Sequence, residues 1–220
     1  MGLLKLGKKG NNMDEFEKNI FVNCPFDKDF MPLLKSLLFT IISCKFNPRI
    51  ALERFDSGEI RLVKIQELIE SSKYSIHDLS RIKSKDKDEY FRLNMPFEIG
   101  LDLGCKLYHS DAKYRSKKIL ILEAEQYSYQ KALSDLSNSD VVCHKSDAEE
   151  LVFAIRNWLS EFRDVELPGG SCIWDDYNYF QSDLYDEMMK KGLKDKDIER
   201  MPIRELLLKM NEWIATKKRV

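Results

Sequence analysis

Between residues 19 and 162, short β-rich runs alternate with segments of helical character five times over. The β-rich runs lie at residues 19–23 (NIFVN), 48–53 (PRIALE), 74–79 (YSIHDL), 118–123 (KILILE) and 140–144 (DVVCH). The helical segments lie at 29–44, 60–69, 95–108, 127–136 and 147–162. Parallel strands need a crossover of a dozen or so residues, usually a helix, and that is what separates these runs. The alternation therefore predicts an α/β protein with an open sheet of about five parallel strands and helices on both faces. The KILILE run is apolar on both sides, as a central strand must be. A flavodoxin-like strand order, 2-1-3-4-5, is the expectation.

Leu167-Pro168-Gly169-Gly170 interrupts this pattern. Two further helical segments are predicted beyond it, at 175–191 and 202–216. The second carries an apolar stripe of Ile203, Leu206, Leu207, Met210, Trp213 and Ile214, which has to be covered by the chain itself or by a partner. Three parts follow: an N-terminal segment at 1–18, expected to be flexible, an α/β domain at 19–166 and a helical extension at 167–220. Near its start, proline at position 32 is tolerated in the first helix. The cluster Asp56-Ser57-Gly58-Glu59 has the chemistry of a capped start for the second.

Thirty-six basic and 37 acidic residues give a net charge of -1, so no global attraction to nucleic acid or membrane is expected. The five cysteines are scattered, without a CxxC pair or a Cys/His cluster. Neither a metal site nor a disulfide framework is expected from them, and a reducing cytoplasm is the expected compartment. No apolar run is long enough to span a bilayer. There is no GxGxxG after the first β-run, no GxxxxGK[ST], no GxSxG and no HExxH. Standard dinucleotide, P-loop, serine-hydrolase and zincin sites are thereby disfavoured.

In an open parallel sheet the residues just past each strand gather on one edge, where ligands bind. Here that edge collects Asn23, Phe26 and Asp27, then Glu53, Phe55, Asp56 and Ser57, then Asp78, Ser80 and Arg81, with Asn94, Glu98, Glu123 and His144. Several carboxylates meet aromatics and an arginine, which suits a ribose and a base. Glu98 is the leading candidate. The segment Asn94-Met95-Pro96-Phe97-Glu98-Ile99-Gly100 places it in the first turn of an apolar helix, whose amino-terminus would favour the ionised form. Gly100 is expected to allow close approach. An ionised glutamate in a cleft can attack a sugar or stabilise its cation. Each candidate also has a structural role to weigh. Asp27 and Asp56 can cap helices, Asp78 can order its loop, and Glu98 can simply complement a helix dipole. His77 reads as a core histidine, and His144 has no visible partner. The charged run at 83–90 reads as an exposed loop or a lid.

Four of these motifs, IFVNCPFD, DSGEIR, YSIHDLSR and NMPFEIGLDLG, together resemble the nucleoside 2-deoxyribosyltransferase-like group, which is akin to TIR-type NAD nucleosidases. The resemblance covers roughly residues 19–162. It implies an enzyme that cleaves an N-glycosidic bond in NAD or in a nucleotide or nucleoside, acting as a bacterial anti-phage defence effector. It implies that Glu98 attacks the anomeric carbon and that Asp78 orients the sugar. It further implies that Asn23, Phe26 and Asp27 contact the nucleoside. Asp56, Ser57, Ser80, Arg81 and Asn94 are expected to line the substrate site with them, Asn94 positioning the ribose and Phe26 stacking on a base. No cofactor is implied, NAD entering as substrate. A homo-oligomer and a defence-system partner protein are the implied partners. A non-catalytic module that binds a nucleotide signal, or a scaffold assembled through its tail, would have the same fold. The chain departs from the family at Asn94-Met95-Pro96, where a small, glycine-containing run is usual, and in its C-terminal helices.

Overall fold

The computed structural model describes residues 15–81, 93–136, 139–162 and 164–217. Five strands form one parallel sheet: β1 (Asn19–Asn23), β2 (Asn47–Ile50), β3 (Tyr74–Asp78), β4 (Lys118–Glu123) and β5 (Val141–Cys143). Their order is β2-β1-β3-β4-β5, as the alternation predicts. All five residues of β1 and of β3 are buried, because both lie inside the sheet and under helices on each face. Asn23 is in register with His77, so the carboxyl ends of β1 and β3 meet where the strand order reverses.

The two faces are distinct. Ile20, Val22, Ile76, Leu120 and Leu122 point toward helices α1 (Met31–Ser43) and α4 (Ala148–Ser160). Their odd-even neighbours point the other way. Phe21 meets α2 (Arg61–Glu70) through Ile65, Leu68 and Ile69, while Ile121 and Leu79 meet α3 (Asn94–Tyr108) through Met95 and Ile99. Pro32 sits at the start of α1, and the Asp147 side chain caps α4 by accepting from the amides of Glu149 and Glu150.

The C-terminal extension folds as α5 (Gly170–Lys190), α6 (Asp195–Glu199) and α7 (Ile203–Lys217). It packs back onto the sheet domain. Ile173, Tyr177, Phe180, Ile203, Leu206 and Met210 share one core with α1 and α4. The Phe39 ring of α1 lies 5.4 Å from Phe180 and 5.8 Å from Trp213. The apolar stripe of α7 is thus covered by its own chain. Gly170 lets α5 approach α4, since a Cβ there would sit 2.5 Å from carbons of the Phe153 ring. Gly192 ends α5 with φ of 83°, the left-handed position that glycine takes after a helix.

Several local expectations are corrected. Strand β2 stops at Ile50, and Ala51–Glu53 forms a 3-10 turn because the Glu53 carboxylate binds Arg49 and the Ile50 amide. Helix α2 starts at Arg61 without a side-chain cap, and Asp56 instead accepts from the Gly58 amide at 2.9 Å. Residues 129–136 form two 3-10 turns, not one helix. The cause is the buried Glu123, whose carboxylate draws in the amides of Tyr127 and Tyr129 and the Ser128 hydroxyl. Helix α6 is absent from the sequence reading. Cys24 and Cys44 are buried, but Cys105 and Cys143 are only half-buried and Cys172 is exposed. The run at 83–90 and most of the N-terminal segment lie outside the described residues. No helix among the described residues is long and apolar enough to cross a membrane.

Candidate active site

Two polar clusters occupy the carboxyl edge, one on each face of the sheet. The first is built around Glu98. An apolar helix face turned toward the sheet carries Met95, Ile99 and, between them, Glu98, so the carboxylate is buried with its neighbours. Its side chain is 6% exposed and pairs at 3.2 Å with Arg61, the first residue of α2, whose side chain is 55% exposed. Burial pushes the Glu98 carboxyl above its usual range, and the charge of Arg61, with His77 nearby, offsets this only in part. This corrects the sequence reading. Helix α3 begins at Asn94, so Glu98 is its fifth residue and no acid stands in the first turn. The helix terminus does not hold the charge; desolvation works against it. Gly100 also departs from expectation, since open space surrounds it.

Four residues below, Asp102 lies on the same buried face as Glu98. Burial would raise its carboxyl, yet hydrogen bonding from His77 and the charge of Lys117 hold it below the ordinary range. His77 Nε2 is 3.0 Å from Asp102 Oδ2, and His77 Nδ1 is 3.0 Å from Asn23 Nδ2. Asn23 Nδ2 also donates to the Met95 carbonyl at 3.1 Å, tying the end of β1 to the start of α3. Asn23 is therefore tied to the helix that carries Glu98, with His77 bonded beside it.

The second cluster lies on the α1/α4 face. Asp78 Oδ2 is 3.0 Å from His144 Nε2, and Asp78 Oδ1 accepts from the Ser80 amide at 2.8 Å. The Ser80 hydroxyl is 2.9 Å from the same His144 nitrogen, while His144 Nδ1 accepts from the Ser146 amide. Serine and aspartate thus share one imidazole nitrogen. A nucleophilic triad needs them on opposite nitrogens, so this is not one. Asp78 has a partner for each oxygen and orders its loop. Beside it lies a cavity of 400 Å3, lined by Asp29, Phe30, Ser80, Arg81, Ala124 and Ser146 among others. Arg81 reaches Asp27 at 3.1 Å and Asp29 at 3.7 Å, and Asp27 also accepts from the Phe30 amide. Cys24 is buried at this edge. Burial, followed by the charges of Asp78, Glu98 and Asp27, pushes its thiol well up, so it is no nucleophile.

The remaining predicted residues do not join either cluster. Asp56, Ser57 and Asn94 are exposed and, among the described residues, take no part in the hydrogen bonds of either cluster. Phe26 is half-buried and packs against the α1/α4 core, whereas Phe55 is 96% exposed and Phe97 54%. Sequence reasoning passed over Arg61, Asp102 and Lys117. One signal was present, two acids four residues apart in an otherwise apolar helix. No family model matches this chain, and no curated protein or solved structure matches it either.

Proposed function

We propose that the protein cleaves the N-glycosidic bond of NAD or of a nucleotide or nucleoside. The observation that carries this reading is Glu98, a carboxylate withdrawn from water at the carboxyl edge and paired with one half-exposed arginine. In the proposed reaction a Glu98 oxygen bonds to the anomeric carbon as the carbon–nitrogen bond breaks, and the electron pair leaves with the base. Water, or an acceptor hydroxyl, then displaces the glutamate. Desolvation supports this role by raising the energy of the free carboxylate relative to its ester. Among the described residues, His77 and His144 are committed to Asp102 and Asp78. Neither is a free acid for a departing base. NAD needs none, because its nicotinamide nitrogen is already quaternary and leaves neutral. That favours NAD over purine nucleosides within the class.

A second reading also has an observation in its favour. The Arg61 pairing neutralises Glu98 in part, as suits a module that binds a nucleotide and does not turn it over. Incubating the protein with NAD and a nucleoside panel, followed by product analysis, separates the two. Free base released by the wild type and not by Glu98→Gln supports cleavage. Stabilisation by ligand without product supports the binding module. The defence role, the partner protein and the homo-oligomer rest on the resemblance of the four motifs. The stripe of α7 no longer argues for assembly, because the chain covers it.

A further inference from the structure

Four buried side chains form a line across the α2/α3 face of the sheet. Lys117, just before β4, is fully buried. Its ammonium donates to the carbonyls of Ile69, at 2.8 Å, and Ser72, just where α2 ends and carbonyls lose their partners four residues on. It also lies 3.1 Å from Asp102 Oδ1. From Asp102 the line continues to His77 and then to Asn23, at 3.0 Å each. Asp102 and His77 are 0% exposed and Asn23 1%.

The placement of each proton follows from which atoms can donate. The Met95 carbonyl can only accept, so the Asn23 atom beside it is the amide nitrogen. The second hydrogen of that nitrogen meets His77 Nδ1, which must therefore be bare. The imidazole proton sits on Nε2 and goes to Asp102. A second proton on His77 would set N–H against N–H. With its nitrogen fully engaged, Asn23 retains Oδ1, which is buried and has no hydrogen-bond partner among the described residues. A buried amide oxygen left in this way costs stability.

We infer that Lys117, Asp102 and His77 are positioning residues that fix Asn23 with its amide oxygen as the acceptor for a sugar hydroxyl of the substrate. The sugar's identity rests on the glycosidic reading of Glu98; the arrangement of the line does not. The test uses the full chain, labelled with 15N-histidine and 13C,15N-asparagine, and NAD as the probe. At neutral pH His77 carries its proton on Nε2, and the Asn23 carboxamide carbon shifts when NAD is added. A bare Nε2 or a doubly protonated His77 overturns the line. An Asn23 carboxamide that ignores millimolar NAD overturns its role as acceptor.

Two variants read the positioning. His77→Gln can still accept from Asn23 and donate to Asp102, and it keeps NAD affinity within about threefold of wild type. His77→Leu can do neither, and it loses about tenfold or more. Equal loss in both overturns the inference. The wild-type spectra decide the matter even if the leucine variant does not fold. NAD turnover without an Asn23 response overturns this inference and leaves the glycosidic reading standing. A response without turnover supports the acceptor and removes the cleavage.

Discussion

Glu98 and Asp102 are the same kind of group on the same face of one helix, yet they are driven in opposite directions. Burial acts on both. Glu98 has a half-exposed arginine and ends above its usual range, while Asp102 has a histidine and a fully buried lysine and ends below. For Glu98 the folded value exceeds the unfolded one, so the folded state holds its proton more tightly. Its favourable contribution is present below the unfolded value of about 4.3 and is lost as pH rises through the folded one. Glu98→Gln is thus expected to melt higher than wild type at neutral pH, with the gap closing in acid, as scanning calorimetry over pH would register. A gap of constant size would contradict the burial argument. In the same variant any cleavage falls by orders of magnitude. Asp102 behaves conversely: its contribution is present above about 3.9 and disappears as pH falls through the lower folded value. Lys117→Met strands the buried carboxylate and should cost about 3–5 kcal/mol by urea titration. Adding Asp102→Asn should recover part of that loss, since the two side chains are coupled. Of the two clusters at the carboxyl edge, the positions of Glu98, Asn23 and Asp78 were legible because motif and strand ends marked them. Lys117 was not: a lysine ahead of a strand reads as exposed. Its burial depends on the end of α2, some 45 residues earlier.

At the level of elements, local pattern was a good guide wherever packing and periodicity agreed. Strand β4 and the bulk of α1 and α3 fall where their apolar runs place them. The errors arise where a side chain overrides the run. Glu123 gathers three donors from the next loop and breaks the expected helix there into turns. Glu53 does the same to the end of β2. A one-residue shift in the start of α3 is within the usual uncertainty of helix ends. It still changed the physics assigned to Glu98, because a dipole effect is confined to the first turn. Close contact between α4 and α5 gives a test of a different kind. Gly170→Ala puts a methyl group into the Phe153 ring, and moving that ring is expected to cost about 1–3 kcal/mol. A denaturation midpoint unchanged from wild type would mean that Phe153 yields freely.

Across the whole molecule the extension from α5 to α7 is a wall of the core and not an appendage. Truncation after Glu166 would uncover Phe39 and the apolar positions of α1 that now face Tyr177, Phe180 and Met210. The truncated chain is expected to be insoluble or to lose its cooperative melt, read by sedimentation and calorimetry. A soluble domain with an unchanged melt would overturn this assignment. The sequence left open whether the stripe of α7 met its own domain or a partner, since periodicity shows that a face is apolar and not what covers it. The line from Lys117 to Asn23 has a consequence at this same scale. Its hydrogen bonds run one way: Asn23 gives to His77, His77 gives to Asp102, and a bound hydroxyl would give to Asn23. Each bond of such a series polarises the next. Asp102 therefore pulls hydrogen toward itself through two intervening groups, and the amide oxygen at the far end becomes more electron-rich than an isolated amide. The carboxyl edge gains a stronger neutral acceptor there without having to hold a second charge beside Glu98.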